Sequence, residues 1–514
     1  MSSSALVDEN GLDTVQVAHL RHWRNLSRQP VNDWSLMGGR APGQDDFSSY
    51  RYQLAYMIYG AALVHRHRLP AAPGLFQPMI QSLMTKLLAP ETWLFWKDTS
   101  RGGAIFNEHL SEGYVEQWDP VLRDNIMFSA YVQSGALLHD YLFGSDMYSQ
   151  AGSLTFKFWT PLWGGSEKSF EYDRNSLNDH IYWQMVRNGY LGVACEPNCI
   201  FQICNQPAIF GFRLHDLITG GSRAAEVTQN YERAWAEFGR LDETGHYNMM
   251  IFEDSYEIVP NTGAWVDAWC GTLMNMWNRE FVHANYTRQI TDLVQPQDDG
   301  TLFVRPSPKT MMGKPVDLGV ADHGWVAAWA SEMGDANTRD GVLAYADAYL
   351  NPTYRDGGLY YPRNDTLYDD VGRYIEVDPM AGNVLFAYAR LNVADGLWKL
   401  YNQPWNRERF SEPAITAVDD DIDISRAYVN DGVLTASLRS HASGVGQRRI
   451  TVGRVLGRGN WRVAMDGVDV ARIVDWTVTP LDRAGPALAC AQDGEVALSC
   501  PGYEPHTFVL TPEV

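Results

Sequence analysis

The sequence predicts a mainly α protein, an (α/α)6 barrel of six helical hairpins followed by a small antiparallel β-sandwich domain. Three observations predict it. From about Leu20 to Tyr401, apolar residues recur at steps of three and four, the period of an amphipathic helix. Very apolar helices alternate along this region with more charged ones. After Tyr401 the pattern changes to short β-rich runs separated by turn residues.

Six segments in the helical region are apolar on every side and rich in small residues. They begin near the following residues, at intervals of roughly 55 to 75 residues: Tyr52, Asn125, Cys199, Gly263, His323 and Ala381. A helix that is apolar all round must be covered all round. Six such helices, each followed by a more polar partner, predict a closed ring of hairpins; an open helical array is the alternative. "FGSDMY", "ITGGSR" and "EMGDAN" place a glycine where a helix is expected to stop.

The chain is predicted to contain two domains. Residues 1–401 form the helical domain, "NQPWNRERFSEPAI" at 402–415 is a polar linker, and 416–514 form the β-sandwich. Two strings are turn signals between strands of that sandwich: Asn430-Asp431-Gly432 and Asp466-Gly467. Cys490 and Cys500 flank its last expected hairpin, where free thiols are favoured over a disulfide.

Composition excludes several classes of partner. The formal net charge of −21 repels nucleic acid and anionic membranes. No apolar run has the length of a signal peptide or a membrane helix, which predicts a cytoplasmic protein in a reducing compartment. The 18 Trp and 26 Tyr residues suit either an aromatic core or a pocket that encloses an apolar small molecule.

The stretch "GVACEPNCIFQICNQPAIFGFRLHDL" gathers Cys195, Cys199 and Cys204 with Glu196. A zinc site is not expected, because the second Cys/His pair that such spacing requires is missing nearby. "CEPN" has the pattern of a helix start, since Pro suits the first turn and Glu suits the positive end of the dipole. A thiol at that position, Cys195, is expected to have a lowered pKa. Cys204, on the following helix, is either catalytic or a small core residue.

The same stretch carries a resemblance to a known family. "VACEPNCIFQICNQPA" resembles the segment that bears two active-site cysteines in linalool dehydratase–isomerase, where Cys-Glu-Pro is followed by a second Cys nine residues after the first. "WDPVLRDNIMFSAYVQSGALLHDYLFGS" is similar to that family's helix with Asp-Pro and Asn-Ile-Met, and "RYQLAYMIYGAAL" to its first inner helix. The similarity extends over roughly residues 20 to 400 and omits the β-rich tail.

The resemblance implies a fold and an activity. The family fold is an (α/α)6 barrel, and its enzymes remove water from a tertiary allylic alcohol or shift a hydroxyl along an allylic system. It implies that Cys195, Cys204 and Glu196 are catalytic and that no metal or organic cofactor takes part. The family forms rings of subunits, which implies a homo-oligomer.

Two positions depart from the family pattern. The family has a His four residues after the Met of its Asn-Ile-Met string, where this chain has Tyr131. Asp33 is the acid nearest to the place where the family has an Asp and a Tyr before its first inner helix. Tyr131 and Asp33 are therefore candidates for catalytic roles at these two places; a tyrosine can donate a proton or hold a hydroxyl, but it does not titrate near neutrality. The scaffold is therefore expected to catalyse isomerisation, dehydration or cyclisation of a terpenoid-like metabolite, and a pericyclic cyclisation, which needs shape and hydrogen bonds more than strong acids, is an alternative.

A further group of residues is predicted to contact the substrate, with a core role as the alternative for the aromatic ones: Met127, Phe201, Trp265, Tyr56, His323 and Tyr247. His323 begins an inner helix, where it acts either as an acid–base group or as a hydrogen-bonding cap. Two rival functions remain at this point. A carbohydrate-active barrel enzyme would present paired carboxylates, and a non-catalytic protein would only bind a hydrophobic ligand.

Overall fold

A computed structural model describes residues 11–102, 105–109, 113–162, 165–311, 313–316, 319–440, 448–455, 459–475, 477–481, 488–490, 495–500 and 503–513. The protein is mainly helical, with 43% of its residues in helices, and carries several separate antiparallel sheets. None of the helices in these ranges has the length and apolar character needed to cross a bilayer.

The helices follow one another along the first four-fifths of the chain. Their bounds are α1 Thr14–Ser27, α2 Tyr50–His67, α3 Pro73–Leu87, α4 Pro90–Trp93, α5 Phe95–Thr99, α6 Ile126–Phe143, α7 Arg174–Arg187, α8 Gln202–Thr219, α9 Arg223–Phe238, α10 Ala264–Met274, α11 Arg279–Leu293, α12 Asp322–Met333, α13 Ala336–Tyr349, α14 Phe386–Leu391 and α15 Gly396–Asn402. A π-helical turn, Ala381–Leu385, leads directly into α14, and two 3₁₀ turns cover Met147–Ser149 and Arg407–Ser411.

Six helices contact one another in cyclic order at the centre of the helical region. The order is α2, α6, α8, α10, α12 and α14, and α14 returns to contact α2. All six begin, counting the π turn with α14, within three residues of the positions predicted for buried helices. Their residues are apolar on all sides, so each is buried by its two neighbours and by an outer helix.

The outer helices are more polar and lie over the joins between central ones. Helix α3 contacts α2 and α6, α7 contacts α6 and α8, and α1 contacts α14. Helices α9, α11 and α13 each pack on the central helix that precedes them. The predicted glycine stops are confirmed at Gly144, Gly220 and Gly334, whose φ angles of 61°, 82° and 72° end α6, α8 and α12 in the left-handed region.

Short antiparallel strands occupy the loops between helices. They pair as β1 Leu154–Phe158 with β2 Lys168–Tyr172; β3 Cys199–Phe201 with β4 Met250–Phe252 and then β5 Ile258–Val259; β6 Val294–Pro296 with β7 Leu302–Val304; β8 Thr310–Met311 with β9 Lys314–Pro315; and β10 Thr353–Arg355 with β11 Gly358–Tyr360.

The C-terminal region forms two antiparallel sheets. Its strands are β12 Ala414–Val418, β13 Ile422–Asn430, β14 Val433–Ser440, β15 Arg448–Gly453, β16 Asn460–Met465, β17 Val468–Val474, β18 Thr477–Pro480, β19 Leu488–Cys490, β20 Val496–Cys500 and β21 His506–Glu513. One sheet has the order β12-β15-β20-β19 and the other β13-β14-β21-β16-β17-β18.

Both predicted turns in this region are confirmed. Asp431 and Gly432 join β13 to β14 with φ angles of 48° and 79°, and Asp466 and Gly467 join β16 to β17 with 51° and 82°. Cys490 is opposite Val496 in the strand register, whereas Cys500 is opposite Arg448. The side chains of these two cysteines lie outside the described residues, so the prediction of free thiols stays a prediction.

The helical region and the β tail share a buried polar contact. Arg21 of α1 forms an ion pair and a hydrogen bond with Asp423 of β13, and both side chains are less than 10% exposed. The Arg24 guanidinium donates to the carbonyl of Ile422 at 2.8 Å. The backbone of Ala71 pairs with the tail as well, because its N–H donates to Ala427 and its carbonyl accepts from Ile415. Charges held in such a contact require their partners, so the tail is fixed against α1 and the start of α3.

Gly74 provides a test of this contact. A Cβ atom built there would lie 2.2 Å from the carbonyl carbon of Thr416 and 2.5 Å from the amide nitrogen of Ala417. Alanine favours a helix over glycine by about 1 kcal/mol, yet we expect Gly74→Ala to lower the free energy of unfolding by about 1 to 3 kcal/mol, because backbone of the tail must move. Urea unfolding measures the change.

Gly38→Ala is the matched control for that substitution. Nothing lies within 4 Å of its built Cβ atom and its φ is not left-handed, so stability should change by less than about 0.5 kcal/mol. Equal stability of Gly74→Ala and the wild type would contradict the close approach of α3 and β12.

Candidate functional site

The loop at 192–198 packs against the start of helix α6. The N–H groups of Asn125 and Ile126, which have no partners within the helix, donate to the carbonyls of Cys195 at 2.9 Å and Ala194 at 3.2 Å. Because these bonds join adjacent backbone atoms, Cys195 lies beside the first turn of α6. Met127, in that same turn, is thereby brought next to the thiol.

Side chains of α8 hold the loop from its other side. The Asn205 amide accepts from the N–H of Val193 at 2.8 Å and donates to the Val193 carbonyl at 3.1 Å. Gly192 has a φ of 136°, and a Cβ atom there would lie 2.7 Å from the Asn205 side-chain nitrogen. The loop therefore needs glycine at 192 and an amide at 205.

The prediction of a helix start at "CEPN" is wrong. Residues 195–198 form a tight turn, closed by bonds from the Cys199 N–H to the Glu196 carbonyl at 2.9 Å and from the Cys195 N–H to the Cys199 carbonyl at 2.8 Å. Strand β3 follows, and α8 begins only at Gln202. The thiol in the first turn of a helix is that of Cys204. Its Cβ points back toward the helix start, as in any α-helix, and so toward Cys195.

The two thiols and the carboxyl group meet in one pocket of about 260 Å³, a volume that includes its opening to solvent. The lining residues come from the loop before α2, from α2, from the start of α6, from the 192–198 loop and β3, and from α8 and α10: Phe47, Tyr52, Met127, Cys195, Glu196, Phe201, Ile203, Cys204, Trp265 and Trp269.

Aromatic rings form much of the wall. The Phe47 ring lies 4.8 Å from that of Trp265, and the Tyr52 ring packs edge-on against Trp269 at 5.6 Å between centroids. Arg51 stacks between Phe95, at 3.8 Å, and Tyr52, at 4.5 Å. Its guanidinium also donates to the Tyr52 hydroxyl at 3.2 Å. One fixed positive charge therefore lies behind an otherwise apolar wall.

The cavity keeps its thiols protonated. A hydrogen bond from Cys204 lowers the pKa of Cys195, but burial and the neighbouring Glu196 outweigh it, so that pKa lies above the usual value. Burial, and the donation of its own hydrogen to Cys195, raise the pKa of Cys204 well above the usual value. The start of α8 favours an anion by only about 0.3–1 kcal/mol. The expectation of a lowered pKa for Cys195 is therefore wrong.

Glu196 is also shifted toward its protonated form. Burial raises the pKa of its carboxyl group above the usual value, while the charge of Arg51 opposes the shift. A carboxyl group with a raised pKa can donate a proton nearer to neutrality than an ordinary one. Among the residues that line this cavity, Glu196 is the strongest acid.

The structure brings together six of the residues named from the sequence: Cys195, Cys204, Glu196, Met127, Phe201 and Trp265. Tyr56 and Tyr131 lie one layer behind the wall. The Tyr131 ring packs on Tyr52 at 5.9 Å, and its hydroxyl is buried near that of Tyr56 without the geometry of a hydrogen bond. Trp269 donates its indole N–H to the Tyr56 hydroxyl.

Three named residues lie away from this cavity. Asp33 is near the surface, where a hydrogen bond from the Ser35 hydroxyl lowers its pKa. Tyr247 is buried beside α10 with its N–H on Asp267 at 2.8 Å. His323 lines a separate polar cavity of about 380 Å³, where its Nε2 accepts from the Val304 N–H at 3.3 Å and burial lowers its pKa to about 3.

Sequence reasoning missed several members of the site. Phe47, Tyr52 and Ile203 line the cavity and Arg51 supports it. Helical spacing carried part of the signal, since Tyr52 is one turn before Tyr56; Trp269, which shares one face of its helix with Trp265 in the sequence, lines the cavity as well. Phe47 is in a loop, and no periodicity marks it. In the described part of the chain, no three His, Cys, Asp or Glu side chains are grouped so as to hold a metal ion.

Comparison with protein families decides the relationship. The family model described as linalool dehydratase/isomerase matches residues 51–367, which is more than half of the chain. The chain belongs to the linalool dehydratase/isomerase family. Membership of this family supports an enzyme with isomerase or dehydratase chemistry. The match spans every residue that lines the cavity except Phe47.

The solved structures that resemble this chain are distant from it. An α-1,6-mannanase of Salegentibacter sp. HEL1_6, in an inactive form with mannotetrose, is 12% identical, covers 76% of this chain and 100% of its own, and has a TM-score of 0.39. An unsaturated glucuronyl hydrolase specific for heparin is 7% identical over 75% of this chain and 96% of its own, with a TM-score of 0.41. An α-amylase from Clostridium perfringens is 10% identical over 73% and 98%, with a TM-score of 0.37. Likeness at this level carries no inference about the activity of this chain.

The protonated thiols lead to a direct prediction. Only a thiolate attacks iodoacetamide at a useful rate, so Cys195 and Cys204 should stay unmodified in the native protein at neutral pH and react fully after denaturation. Peptide mass spectrometry after alkylation measures both. Rapid modification of native Cys195 at neutral pH, with Cys199 unmodified in the same sample, would show that its thiol is ionised.

Proposed function

We propose that this protein is a cofactor-independent isomerase or dehydratase of a small, apolar, terpenoid-like alcohol. We further propose that its helical region is an (α/α)6 barrel and its C-terminal region a β-sandwich. The cyclic contacts of the six central helices and the pairing of the C-terminal strands into two sheets support these two assignments.

One observation carries the functional proposal. A carboxyl group with a raised pKa and two protonated thiols share a cavity whose other lining residues are aromatic or aliphatic. An apolar wall excludes water and selects an apolar substrate, while Glu196 supplies a proton at one point. Family membership gives this arrangement its chemical context.

The proposed reaction begins with protonation of the substrate hydroxyl by Glu196. The C–O bond then breaks with both electrons leaving on oxygen, which gives water and an allylic cation. In dehydration, the Glu196 carboxylate removes a proton from the adjacent carbon, which forms a new double bond and restores the acid. In isomerisation, the same water adds to the other end of the allylic cation and returns its proton to Glu196. The neutral thiols of Cys195 and Cys204 donate hydrogen bonds to the departing or returning oxygen.

The cavity wall suits the cation that this reaction forms. The faces of aromatic rings attract positive charge by about 0.5–2 kcal/mol each where water is excluded. Tyr52, Trp265 and Trp269 are less than 3% exposed and leave no bulk water to capture the cation early. The positive charge of Arg51 disfavours the allylic cation. That guanidinium, however, stacks between the rings of Tyr52 and Phe95.

Cyclisation on the same scaffold is the second candidate, and a specific observation favours it. Tyr131 takes the place of the family's His, and burial raises its pKa well above the ordinary value, so it carries no proton to or from a substrate near neutrality. A reaction steered by shape needs no such group. The carbohydrate-active alternative has less support, because Glu196 is the only carboxyl-bearing residue among the described residues that line the cavity.

Substitution of the acid tests the proposal. The purified full chain is incubated with linalool, geraniol, nerolidol and farnesol, and products are identified by gas chromatography with mass spectrometry. We expect a product isomeric with one of these alcohols or lighter by one water, and a loss of at least about 100-fold in kcat for Glu196→Gln, since a general acid contributes about 10²–10⁴-fold. Cys204→Ala should reduce kcat less, because it removes a hydrogen bond and not the proton donor.

Matched controls separate the chemistry from folding. Glu253→Gln changes another partly buried carboxyl group with a raised pKa that does not line the cavity, and Cys199→Ala changes a buried thiol outside it; both should keep full activity. An isomeric product that survives Glu196→Gln and both cysteine substitutions would favour cyclisation by shape. Tight binding of these alcohols without any turnover would favour the ligand-binding alternative.

The pH dependence of the rate follows from the same group. A general acid works in its protonated form, so kcat should be highest below the pKa of Glu196 and fall above it. Because burial raises that pKa, the fall should come at a higher pH than for an exposed glutamate. Arg51→Gln removes the charge that opposes the shift and should move the fall to still higher pH. A rate that rises with pH through the same range would contradict the role of Glu196 as acid.

A further inference from the structure

A second cavity lies where the helical region meets the β tail. This junction cavity, of about 400 Å³, is lined in part by His65 at the end of α2, Phe143 at the end of α6, Trp405 and Arg409 in the linker, and Arg454 after β15. Tyr52 and His65 are thirteen residues apart on α2, so the junction cavity is about 20 Å from the thiol cavity at a rise of about 1.5 Å per residue. The two cavities are therefore separate sites at opposite ends of the same helices.

Positive charge predominates around the junction cavity. The Arg409 guanidinium lies 4.6 Å from the centre of the Trp405 ring, and that of Arg66 lies 5.4 Å from the same ring. One carboxylate, Glu412, is 3.7 Å from Arg409 and also faces Arg454. Within the described residues, the charged and polar groups that act on these three arginines include no second carboxylate.

The surroundings do not neutralise this charge. Burial lowers the pKa of Arg409 to about 10; the charges of Arg66 and Arg454 act in the same direction, and Glu412 opposes them. Burial lowers the pKa of His65 to about 3, so its imidazole is neutral and adds no charge. The Nε of Arg66 is buried without a partner among the described atoms. A protein with a net charge of −21 thus concentrates cations around one cavity.

The backbone at Arg454 supports a functional reading. Its φ is +66°, in the left-handed region that residues other than glycine rarely adopt. The strand β15 ends at Gly453, so Arg454 is the residue that turns toward the cavity. The remaining lining is largely apolar and includes Leu142 and Phe410.

We propose that the junction cavity binds a small-molecule carboxylate with an aromatic or aliphatic body, whose carboxylate lies between Arg409 and Arg454 and whose body packs on Trp405. The planar fork of a guanidinium matches the two oxygens of a carboxylate. In the free protein the Glu412 carboxylate lies beside Arg409 and therefore competes with the carboxylate of the ligand. The site is independent of the proposed catalytic function, since none of its residues lines the thiol cavity.

Benzoate is the probe for this site. Isothermal titration calorimetry on the full chain should show benzoate binding, with a matching rise in the unfolding temperature, while neutral benzyl alcohol should not bind. Arg409→Gln and Arg454→Gln should each weaken benzoate binding by about tenfold or more, because each removes a charge-assisted hydrogen bond to the carboxylate. Glu412→Gln should tighten it, because the competing carboxylate is gone.

Controls make each outcome decisive. Arg279→Gln changes an exposed arginine paired with Asp395 elsewhere on the helices and should leave benzoate binding unchanged. If Arg409→Gln fails to fold, Arg454→Gln, at an exposed position, provides the same test.

Three outcomes would each overturn the proposal. The wild type fails to bind benzoate, both arginine variants bind it as tightly as the wild type does, or Glu412→Gln binds it more weakly. Equally tight binding of inorganic phosphate would overturn the assignment of an apolar body. Turnover of linalool should be unchanged in all of these variants, so the result is separate from that of the catalytic proposal.

Discussion

The site depends on one backbone contact, the bonds from the N–H groups of Asn125 and Ile126 to the carbonyls of Cys195 and Ala194. The start of a buried helix needs acceptors for its free N–H groups, and here a loop supplies them where a capping side chain usually would. The N-cap residue Asn125 makes no such side-chain bond. The requirement of α6 for acceptors therefore also fixes where Cys195 and Glu196 lie, so that fold and site share one constraint.

Burial then sets the chemistry of the groups that this contact positions. Desolvation is the largest cause of the shift of Glu196 and of Cys204, and both shifts favour the neutral form. Arg51, whose charge acts on Glu196, is held against two rings and donates to Tyr52 and to the carbonyl of Gln44. The cavity therefore holds proton donors without holding ions, which suits a reaction that starts from a neutral alcohol and must not trap its cation.

The sequence predicted those parts of the structure in which a local pattern of residues by itself determines the conformation or the burial. The six central helices and the two Asp-Gly turns follow from local rules, because an all-round apolar helix is covered and because a tight hairpin needs positive φ. "CEPN" followed the local rule for a helix start and yet forms a turn, because the carbonyl of Cys195 accepts from α6 and the Asn205 amide holds Val193 in the segment before it. Phe47 and Arg51 join the site only through packing between distant segments, which no local pattern in the sequence records.

The exchange of the family's His for Tyr131 changes where a proton can come from. Tyr131 is surrounded by Tyr52, Tyr56 and Tyr59, and burial keeps its hydroxyl neutral, so this layer shapes the cavity but transfers no proton. Asp33, near the surface, is ionised and remote from the thiols. If the reaction needs an acid, Glu196 is left as the group with both the position and the pKa to supply it. If the reaction needs none, the same aromatic layer provides the fixed shape that a cyclisation requires, and the substitution of Glu196 distinguishes these two uses of one cavity.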